Sequence, residues 1–322
     1  MKTNKENPPQ YEWGPFPFGD GARILDIRYD QVFKAVFTRD TTESRAALSD
    51  LISALIGRTV TVEAIVANEP PTDYLGQKKI RYDIACKSKD GEPIDVEMSF
   101  HPINDELNRL EYYASKLFIG QDIEGIEKNY SDLKKAYQIS ILARRQFFHD
   151  KNLTHTFLYY DPETRVSLDG KIRIITLELE KSAMYIDKPV SEMSGAEAWA
   201  VYFQYLTNEA KREKIKEIIA REEGIAMATN VMCQITSNFE EYSRLTTALK
   251  GELDWQSDMV WAKREGMKKG IKKGEAKGRA EGKAEGKAEG RAETARNLKL
   301  LGASMDLIIK STGLSQEEID RL

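Results

Sequence analysis

The sequence predicts an α/β protein of mixed α+β type, in which a mixed sheet flanked by helices is followed by an all-helical C-terminal region. Two observations support this class. Helix-like and strand-like patterns alternate as far as about residue 181, and from Ser194 to about Lys263 the composition changes to helix formers. The length of 322 residues is enough for about two domains.

Composition excludes several classes of protein. A hydrophobic content of 41% supports a core, whereas a net charge of -4 argues against coating nucleic acid by bulk attraction. Contact with nucleic acid therefore requires local basic patches. The two cysteines, Cys86 and Cys233, exclude a disulfide framework and a thiolate zinc site. Because no window has the length and apolarity of a membrane span, we expect a cytoplasmic protein with no membrane partner.

The N-terminal part predicts an arm, two helical segments and a strand. Residues 1–22 are rich in proline and glycine, which favours a flexible arm. Helical spacing of apolar residues begins after Asp30 and resumes before Gly57, and a short strand is predicted over 61–67. One interpretation of Asp30 is a cap for the first helix.

A β-hairpin with an acidic face is the most informative feature. Residues 79–87 and 94–100 alternate with period two, and their apolar side chains all stand at even positions. Both strands present these side chains to one core only if even positions pair with even positions. A two-residue Asp90-Gly91 turn would break that parity, whereas a loop of three or five residues with a positive-φ glycine keeps it.

This register places Asp83 opposite or diagonal to Glu97, with Asp95 and Ser99 on the same face. Like charges so close destabilise a sheet, and a divalent cation between them would create a site. Hard oxygen ligands suit magnesium. The alternative is a solvent-facing surface with incidental acids. Asp95 likewise allows two interpretations, an exposed side chain or a group in or beside the metal site.

A helix over 105–120 follows the hairpin, and then strands over 136–143, 154–160 and 171–179. The helix has an apolar side that includes Leu107, Leu110 and Ala114. We predict that Arg109, Tyr112 and Lys116 share the opposite side at i, i+3 and i+7. They form either a solvated surface or a phosphate-binding group, in which Arg109 makes the charged contact and Tyr112 or Tyr113 packs on sugar or base.

The C-terminal region is predicted to contain three parts. Residues 190–263 form a helical appendage, residues 264–296 form a charged helix or linker, and residues 297–322 form a small helix pair that includes a capping box at Ser315. Glycine recurs every fourth residue from Gly266 to Gly290. This stripe favours either a solvated linker or a close-packing seam for another helix, and the seam would make the protein a homo-oligomer.

At this point the chain resembles the PD-(D/E)XK nuclease superfamily and, within it, the recombination-promoting nuclease/transposase (Rpn) family of bacteria. The likeness is carried by an ordered set of segments: residues 30–37 (DxxFKxxF), Asp83, residues 96–99 (VEMS), residues 109–117 (RxxYYxSKL) and residues 177–181 (LELEK). The glycine-rich tail and the terminal helix pair are also typical of the family. The resemblance covers nearly the whole chain.

The resemblance implies a restriction-endonuclease-like core over 23–185 and Mg²⁺-dependent cleavage of DNA, with Mn²⁺ as an alternative ion and a role in recombination or mobile elements. It implies that Asp83, Glu97 and the backbone carbonyl of Met98 hold the metal. Asp30 becomes a candidate accessory acid, besides its interpretation as a helix cap.

The sequence departs from the family pattern at Ser99, the third catalytic position. The superfamily carries lysine there, and Rpn members usually carry glutamine. A serine hydroxyl donates a hydrogen bond but has no positive charge and a shorter reach. This departure favours an alternative function, a catalytically weakened DNA-binding or self-associating protein on the same fold.

Overall fold

The computed structural model of the protein describes residues 24–66, 68–69, 80–121, 123, 128–168 and 170–322, with the backbone alone for 252–257 and 260. The predicted N-terminal arm lies outside the described residues. The chain divides into two compact units, Met1–Leu249 and Lys250–Leu322. No helix in the described ranges is long and apolar enough to cross a membrane.

Within the described residues, the first unit contains six strands and six complete α-helices. The strands are β1 (Val62–Ile65), β2 (Ile84–Ser88), β3 (Pro93–Ser99), β4 (Ala136–Leu142), β5 (Thr154–Phe157) and β6 (Ile172–Glu178). The helices are α1 (Asp30–Phe37), α2 (Thr42–Ile56), α3 (Glu106–Ile119), α4 (Gly195–Tyr205), α5 (Arg212–Arg221) and α6 (Glu223–Ser237). The chain continues through α7 (Phe239–Leu300), α8 (Met305–Thr312) and α9 (Gln316–Asp320).

The strands form one mixed sheet in the order β1-β2-β3-β4-β6-β5. The central strands β3, β4 and β6 run parallel, while β1–β2, β2–β3 and β5–β6 are antiparallel pairs. Helices flank this sheet and form the C-terminal region. The predicted α/β class with a mixed sheet is therefore confirmed, and the architecture is consistent with a restriction-endonuclease-like fold.

One face of the sheet packs against α1, α2 and the helices that follow β6. Aromatic rings fill this core: the Phe37 ring lies 4.9 Å from Phe33 and 5.8 Å from Trp199. Trp199 also donates from Nε1 to Asp50 on α2 at 2.8 Å. Residues of α4, α5 and α6 thus share a single apolar core with α1 and α2. The division into a nuclease-like core over 23–185 and a helical appendage over 190–263 stays a prediction.

The β2–β3 hairpin has the predicted parity. Ile84 pairs with Val96 and Cys86 with Ile94. The Ser88 N–H donates to the Glu92 carbonyl at 3.0 Å and closes a three-residue loop in which Gly91 has φ +79. Even-numbered side chains of both strands enter the main core. The hydrophobic pattern and the loop glycine specify the same register.

The predicted first arm of the hairpin was too long. Strand β2 begins at Ile84, because the chain before it turns away and the Tyr82 N–H donates to the Asn68 carbonyl at 2.8 Å. Ile80 and Tyr82 therefore pack with Ala85 in a separate cluster, beside Tyr113 of α3, and not in the main core.

Helix α3 contacts β3, β4 and β6 and buries Glu106, Leu110 and Ala114. The predicted inner position of Leu107 was wrong, since its side chain is 37% exposed. The predicted outer position of Arg109 was also wrong, because Arg109 turns toward the acidic side chains of β3. The side of this helix that faces the sheet therefore combines the apolar Leu110 and Ala114 with the charged Glu106 and Arg109.

The second unit is described by itself. Helix α7 is continuous through the glycine stripe, and a Cβ added at any glycine from Gly266 to Gly290 would meet no described atom within 4 Å. Ala295 of α7, Ile308 of α8 and Ile319 of α9 form a small apolar cluster. The predicted capping box is confirmed, since the Glu318 N–H donates to Ser315 Oγ and the Ser315 N–H donates to Glu318.

Candidate active site

Asp83 and Glu97 face each other where β2 begins and β3 approaches its end. The Asp83 N–H donates to Glu97 Oε1 at 3.1 Å, and the Met98 N–H donates to Asp83 Oδ2 at 3.1 Å. The Glu97 side chain is only 2% exposed. The acidic face is therefore buried beside α3, and its interpretation as a solvent-facing surface was wrong.

A cation from α1 binds Asp83. Lys34 Nζ lies 2.9 Å from Asp83 Oδ1 and 2.7 Å from Asp30 Oδ1, so one ammonium group bridges both acids. Asp30 is not the helix cap that one interpretation predicted. Tyr29 holds the N-cap position, without a side-chain cap, and Asp30 begins the helix and pairs with Lys34 one turn later.

Asp95 is fully buried, so its interpretation as an exposed side chain was wrong. Its Oδ2 accepts from Gln138 Nε2 on β4 at 2.6 Å, while Oδ1 is buried without a hydrogen-bond partner in the described structure. Parallel pairing extends the polar face from Glu97 to Ser140 of β4 and then to Thr176 of β6. The sequence carries a signal for this row, because polar and apolar residues alternate along β4.

Ser99 belongs to a buried network with two residues of α3. Its hydroxyl donates to Glu106 Oε1 at 2.6 Å, and Arg109 Nη2 donates to Ser99 Oγ at 3.1 Å and to Glu106 Oε1 at 2.6 Å. The same Nη2 lies 3.2 Å from Glu97 Oε2. Sequence reasoning missed Glu106, since a buried acid on an apparently solvated helix is recognised only through its partners.

The predicted DNA-binding residues on α3 point in different directions. The Arg109 guanidinium lies over the Tyr113 ring, with its central carbon 5.2 Å from the ring centroid. Tyr113 in turn packs edge-on against Tyr82 at 5.6 Å. Tyr112 is 43% exposed, and Lys116 is half-buried. The four residues therefore do not form one surface: Arg109 and Tyr113 face the acidic cluster, and Tyr112 faces solvent.

Burial and mutual repulsion weaken the acidity of the cluster. Burial, followed by the charge of Asp30, raises the pKa of Asp83 to about 6, against the opposing effect of Lys34. Burial and the charge of Asp83 raise the pKa of Glu97 to about 7, although Arg109 opposes this. Burial, then Glu97, raises the pKa of Asp95 well above its usual range. Desolvation favours the neutral acids until a cation compensates their charge.

The oxygen donors of the site suit a divalent ion. Asp83 and Glu97 offer carboxylates, and the Met98 carbonyl points to the same strand edge as its N–H, which already bonds Asp83. Mg²⁺ commonly takes one or two carboxylates and completes its shell with water and phosphate. The described residues contain no group of three or more His, Cys, Asp or Glu side chains placed to hold a metal. The carboxylate oxygens of Asp83 and Glu97 are donors of the kind that such an ion takes.

Basic residues border the carboxyl ends of the parallel strands next to this cluster. Phe100 follows β3, and the guanidinium of Arg144, which follows β4, lies over its ring at 4.1 Å from the centroid. The guanidinium of Arg145 lies over Phe147 at 4.6 Å and its Nη1 donates to Asn104 at 2.9 Å. No carboxylate within the described ranges forms an ion pair with Arg144. Ligands of parallel sheets often bind at this edge.

A family model described as PD-(D/E)XK nuclease family transposase matches residues 27–262. The chain belongs to this family. No curated protein and no solved structure matches the chain. The match to the PD-(D/E)XK family covers the whole sheet and the helices from α1 to α6, and it supports a nuclease-type function.

The PD-(D/E)XK name describes two acids and, two residues after the second acid, a lysine. The sequence-based assignment of these positions to Asp83, Glu97 and Ser99 stays a prediction. It agrees with the geometry, because the two acids are adjacent across the hairpin and Ser99 follows Glu97 on the same buried face. On this assignment, serine stands at the position where the PD-(D/E)XK pattern has lysine.

Proposed function

We propose that the protein is a metal-dependent DNA endonuclease of the Rpn type, linked to DNA recombination or mobile elements. The observation that carries the proposal is the reciprocal pair of 3.1 Å bonds between Asp83 and the Glu97–Met98 segment. This pair holds the buried carboxyl group of Glu97 against the partly buried carboxyl group of Asp83, at a cost in electrostatic repulsion. Membership of a nuclease family supplies a reason for such an arrangement.

In this proposal, Asp83, Glu97 and the Met98 carbonyl hold Mg²⁺, or Mn²⁺ in its place. The bound ion would activate water and stabilise negative charge at the scissile phosphate. Lys34 keeps Asp83 ionised and oriented through its 2.9 Å contact, and Asp30 orients Lys34. Asp30 is a candidate accessory acid on this side. Asp95, a buried acid two residues before Glu97 on β3, is a candidate group in or beside the metal site.

DNA is the proposed substrate and partner. The exposed side chain of Tyr112 is proposed to contact sugar or base, and Lys116 lies one turn further along the same helix. Tyr113 and Arg109 would reach DNA only at the cleavage site itself, because both lie against the acidic cluster. Arg144 adds an exposed guanidinium at the adjacent edge of the sheet.

The test is a plasmid-nicking assay with Mg²⁺, Mn²⁺, Ca²⁺ or a chelator. We expect the wild type to nick supercoiled DNA with Mg²⁺ or Mn²⁺, and Asp83→Ala and Glu97→Ala to abolish nicking. Asp90→Asn is the matched control, since Asp90 lies in the loop of the same hairpin and is 75% exposed. Equal nicking by the wild type and both alanine variants would overturn the proposed site.

A second function is a DNA-binding or self-associating protein with weakened catalysis. Ser99 favours it, because its hydroxyl is engaged by Glu106 and carries no charge to the cluster. Under this alternative, the wild type binds DNA but nicks it slowly, and Ser99→Lys or Ser99→Gln increases the nicking rate. A variant no faster than the wild type would remove the support that Ser99 gives to this alternative.

A further inference from the structure

We propose that Arg109 is a positioning residue that supplies, from α3, the positive charge that position 99 lacks. The proposal rests on the proposed nuclease function and extends it to a residue outside the motif positions. In this proposal Ser99 and Arg109 depend on each other. The short side chain of Ser99 leaves space beside Glu97, and the guanidinium of Arg109 from α3 occupies that space.

The contacts of one nitrogen atom define this arrangement. Nη2 of Arg109 lies 3.2 Å from Glu97 Oε2, 3.1 Å from Ser99 Oγ and 2.6 Å from Glu106 Oε1. The guanidinium thus stands next to the tip of the Ser99 side chain and in contact with the second acid. A lysine at position 99 would extend several bonds beyond the serine oxygen, toward the space in which Nη2 lies.

The surrounding groups orient Arg109 and do not release it to solvent. Glu106, which is buried, binds both Arg109 and Ser99, and the Tyr113 ring lies under the guanidinium. Arginine is suited to this place because its planar group bonds several acceptors at once and stays charged when buried. Lys34 does not fill the role, since its ammonium binds Asp83 and Asp30 on the other side of the acidic pair.

The chemical consequence follows from the two oxygens of Glu97. Oε1 accepts the Asp83 N–H, and Oε2 is held by Arg109, so the carboxylate is fixed at both ends. Side chains that orient a metal-binding carboxylate typically contribute about 10- to 100-fold to activity or metal affinity. A cation next to the carboxylate also helps to compensate negative charge that develops on a reacting phosphate.

The first test is a thermodynamic cycle that requires no activity. It compares melting temperatures of the wild type, Arg109→Ala, Ser99→Lys and the double variant. We expect each single change to lower the melting temperature. Arg109→Ala removes the cation that contacts both Glu97 and Glu106, and Ser99→Lys brings two cations into one space. The double variant should melt above both single variants. If Ser99→Lys changed the melting temperature equally in the wild type and in Arg109→Ala, the two side chains would not share one space, and the proposal would be overturned.

The second test uses the same four proteins in DNA cleavage with Mg²⁺ and in DNA binding with Ca²⁺. We expect Arg109→Ala to slow single-turnover cleavage by about 10- to 100-fold, with a much smaller loss of DNA affinity. The double variant should regain most of the lost cleavage rate. Arg45→Ala is the control, since Arg45 is an exposed arginine of α2 paired with Asp40. Parallel losses of affinity and rate, or a double variant as slow as Arg109→Ala, would overturn the proposal.

The two tests separate this proposal from the proposed function. If the wild type nicks DNA and Asp83→Ala does not, the nuclease function holds and the four proteins decide the role of Arg109. If the wild type fails to cleave with any metal, the nuclease function fails, and the melting-temperature cycle alone decides whether Arg109 and a lysine at position 99 compete for one place.

Discussion

The Asp83 N–H donates to Glu97 Oε1, and the N–H of the residue after Glu97 donates back to Asp83 Oδ2, each at 3.1 Å. Two acids are thus held together by main-chain donors at the point where their charges repel. Main-chain bonds fix the positions of the carboxyl groups without neutralising both of them. The hairpin therefore maintains an arrangement that is electrostatically unfavourable in the absence of a cation.

The acidic pair predicts a pH-dependent loss of stability. The pKa of Glu97 is raised from its ordinary value of 4.5 to about 7 by burial and by Asp83. Because the folded protein favours the protonated form of Glu97, this group contributes its full stabilisation below pH 4.5. The contribution is lost as the pH rises to about 7 and Glu97 ionises. We expect Glu97→Gln to match the wild type near pH 4 and to be more stable near pH 8, by on the order of 2 kcal/mol, in urea denaturation.

Asp90→Asn serves as the control for this prediction, because Asp90 is an exposed acid of the same hairpin. Asp90→Asn should show the same difference as the wild type between the free energies of unfolding at the two pH values. A Glu97→Gln protein that is less stable than the wild type near pH 8 would contradict the assignment of Glu97 as a destabilising acid.

A second prediction concerns Gly91, which fixes the register that brings the acids together. Its φ of +79 is strained for a residue with a Cβ, although the added Cβ would approach no described atom closer than 3.8 Å. We expect Gly91→Ala to lower the free energy of unfolding by about 1 kcal/mol through backbone strain alone. Chemical denaturation measures this effect. Gly270→Ala, where the added Cβ meets open space, should show no such loss.

The hairpin shows what the sequence is able to predict. Alternating apolar residues and a loop glycine depend on local geometry, so parity, loop length and the opposition of Asp83 and Glu97 follow from the chain itself. The first arm of the predicted hairpin extended too far because Ile80 and Tyr82 keep the same alternation after the chain has left the sheet.

The environment of the acids was less predictable than their spacing. Asp95 is buried because α3 covers this face and Gln138 bonds it from β4, and neither partner is close to it in sequence. The sequence left Arg109 as part of either a solvated helix face or a phosphate-binding group, since polarity on a helix does not distinguish water or phosphate from a buried acid as its partner. The burial of Asp95 and the orientation of Arg109 both depend on partners from elements that are distant in sequence.

A third prediction concerns DNA binding by Arg144, whose guanidinium is held over the Phe100 ring at 4.1 Å from its centroid. Stacking pre-orients the charged group at low cost in side-chain entropy. We expect Arg144→Ala to weaken binding to all duplex sequences alike and to reduce the salt dependence by about one phosphate contact. Fluorescence anisotropy with labelled DNA and Ca²⁺, over a series of salt concentrations, measures both effects.

Arg45→Ala provides the matched arginine control for Arg144, because Arg45 is exposed on α2 and pairs with Asp40. Its affinity and salt slope should equal those of the wild type. Identical behaviour of Arg144→Ala and Arg45→Ala would show that the edge of the sheet next to Phe100 does not contact phosphate.

The glycine stripe of α7 allows a prediction that separates its two interpretations. Gly274, Gly278 and Gly282 lie in a continuous helix, and an added Cβ would meet no described atom within 4 Å. Changing all three to alanine should stabilise the helix by about 1 kcal/mol each, which circular dichroism would detect as higher helicity on heating. We expect light scattering to give an unchanged mass, because a solvated helix has room for the methyl groups. A lower mass would establish the stripe as a packing seam, since close approach of a second helix requires the absence of side chains.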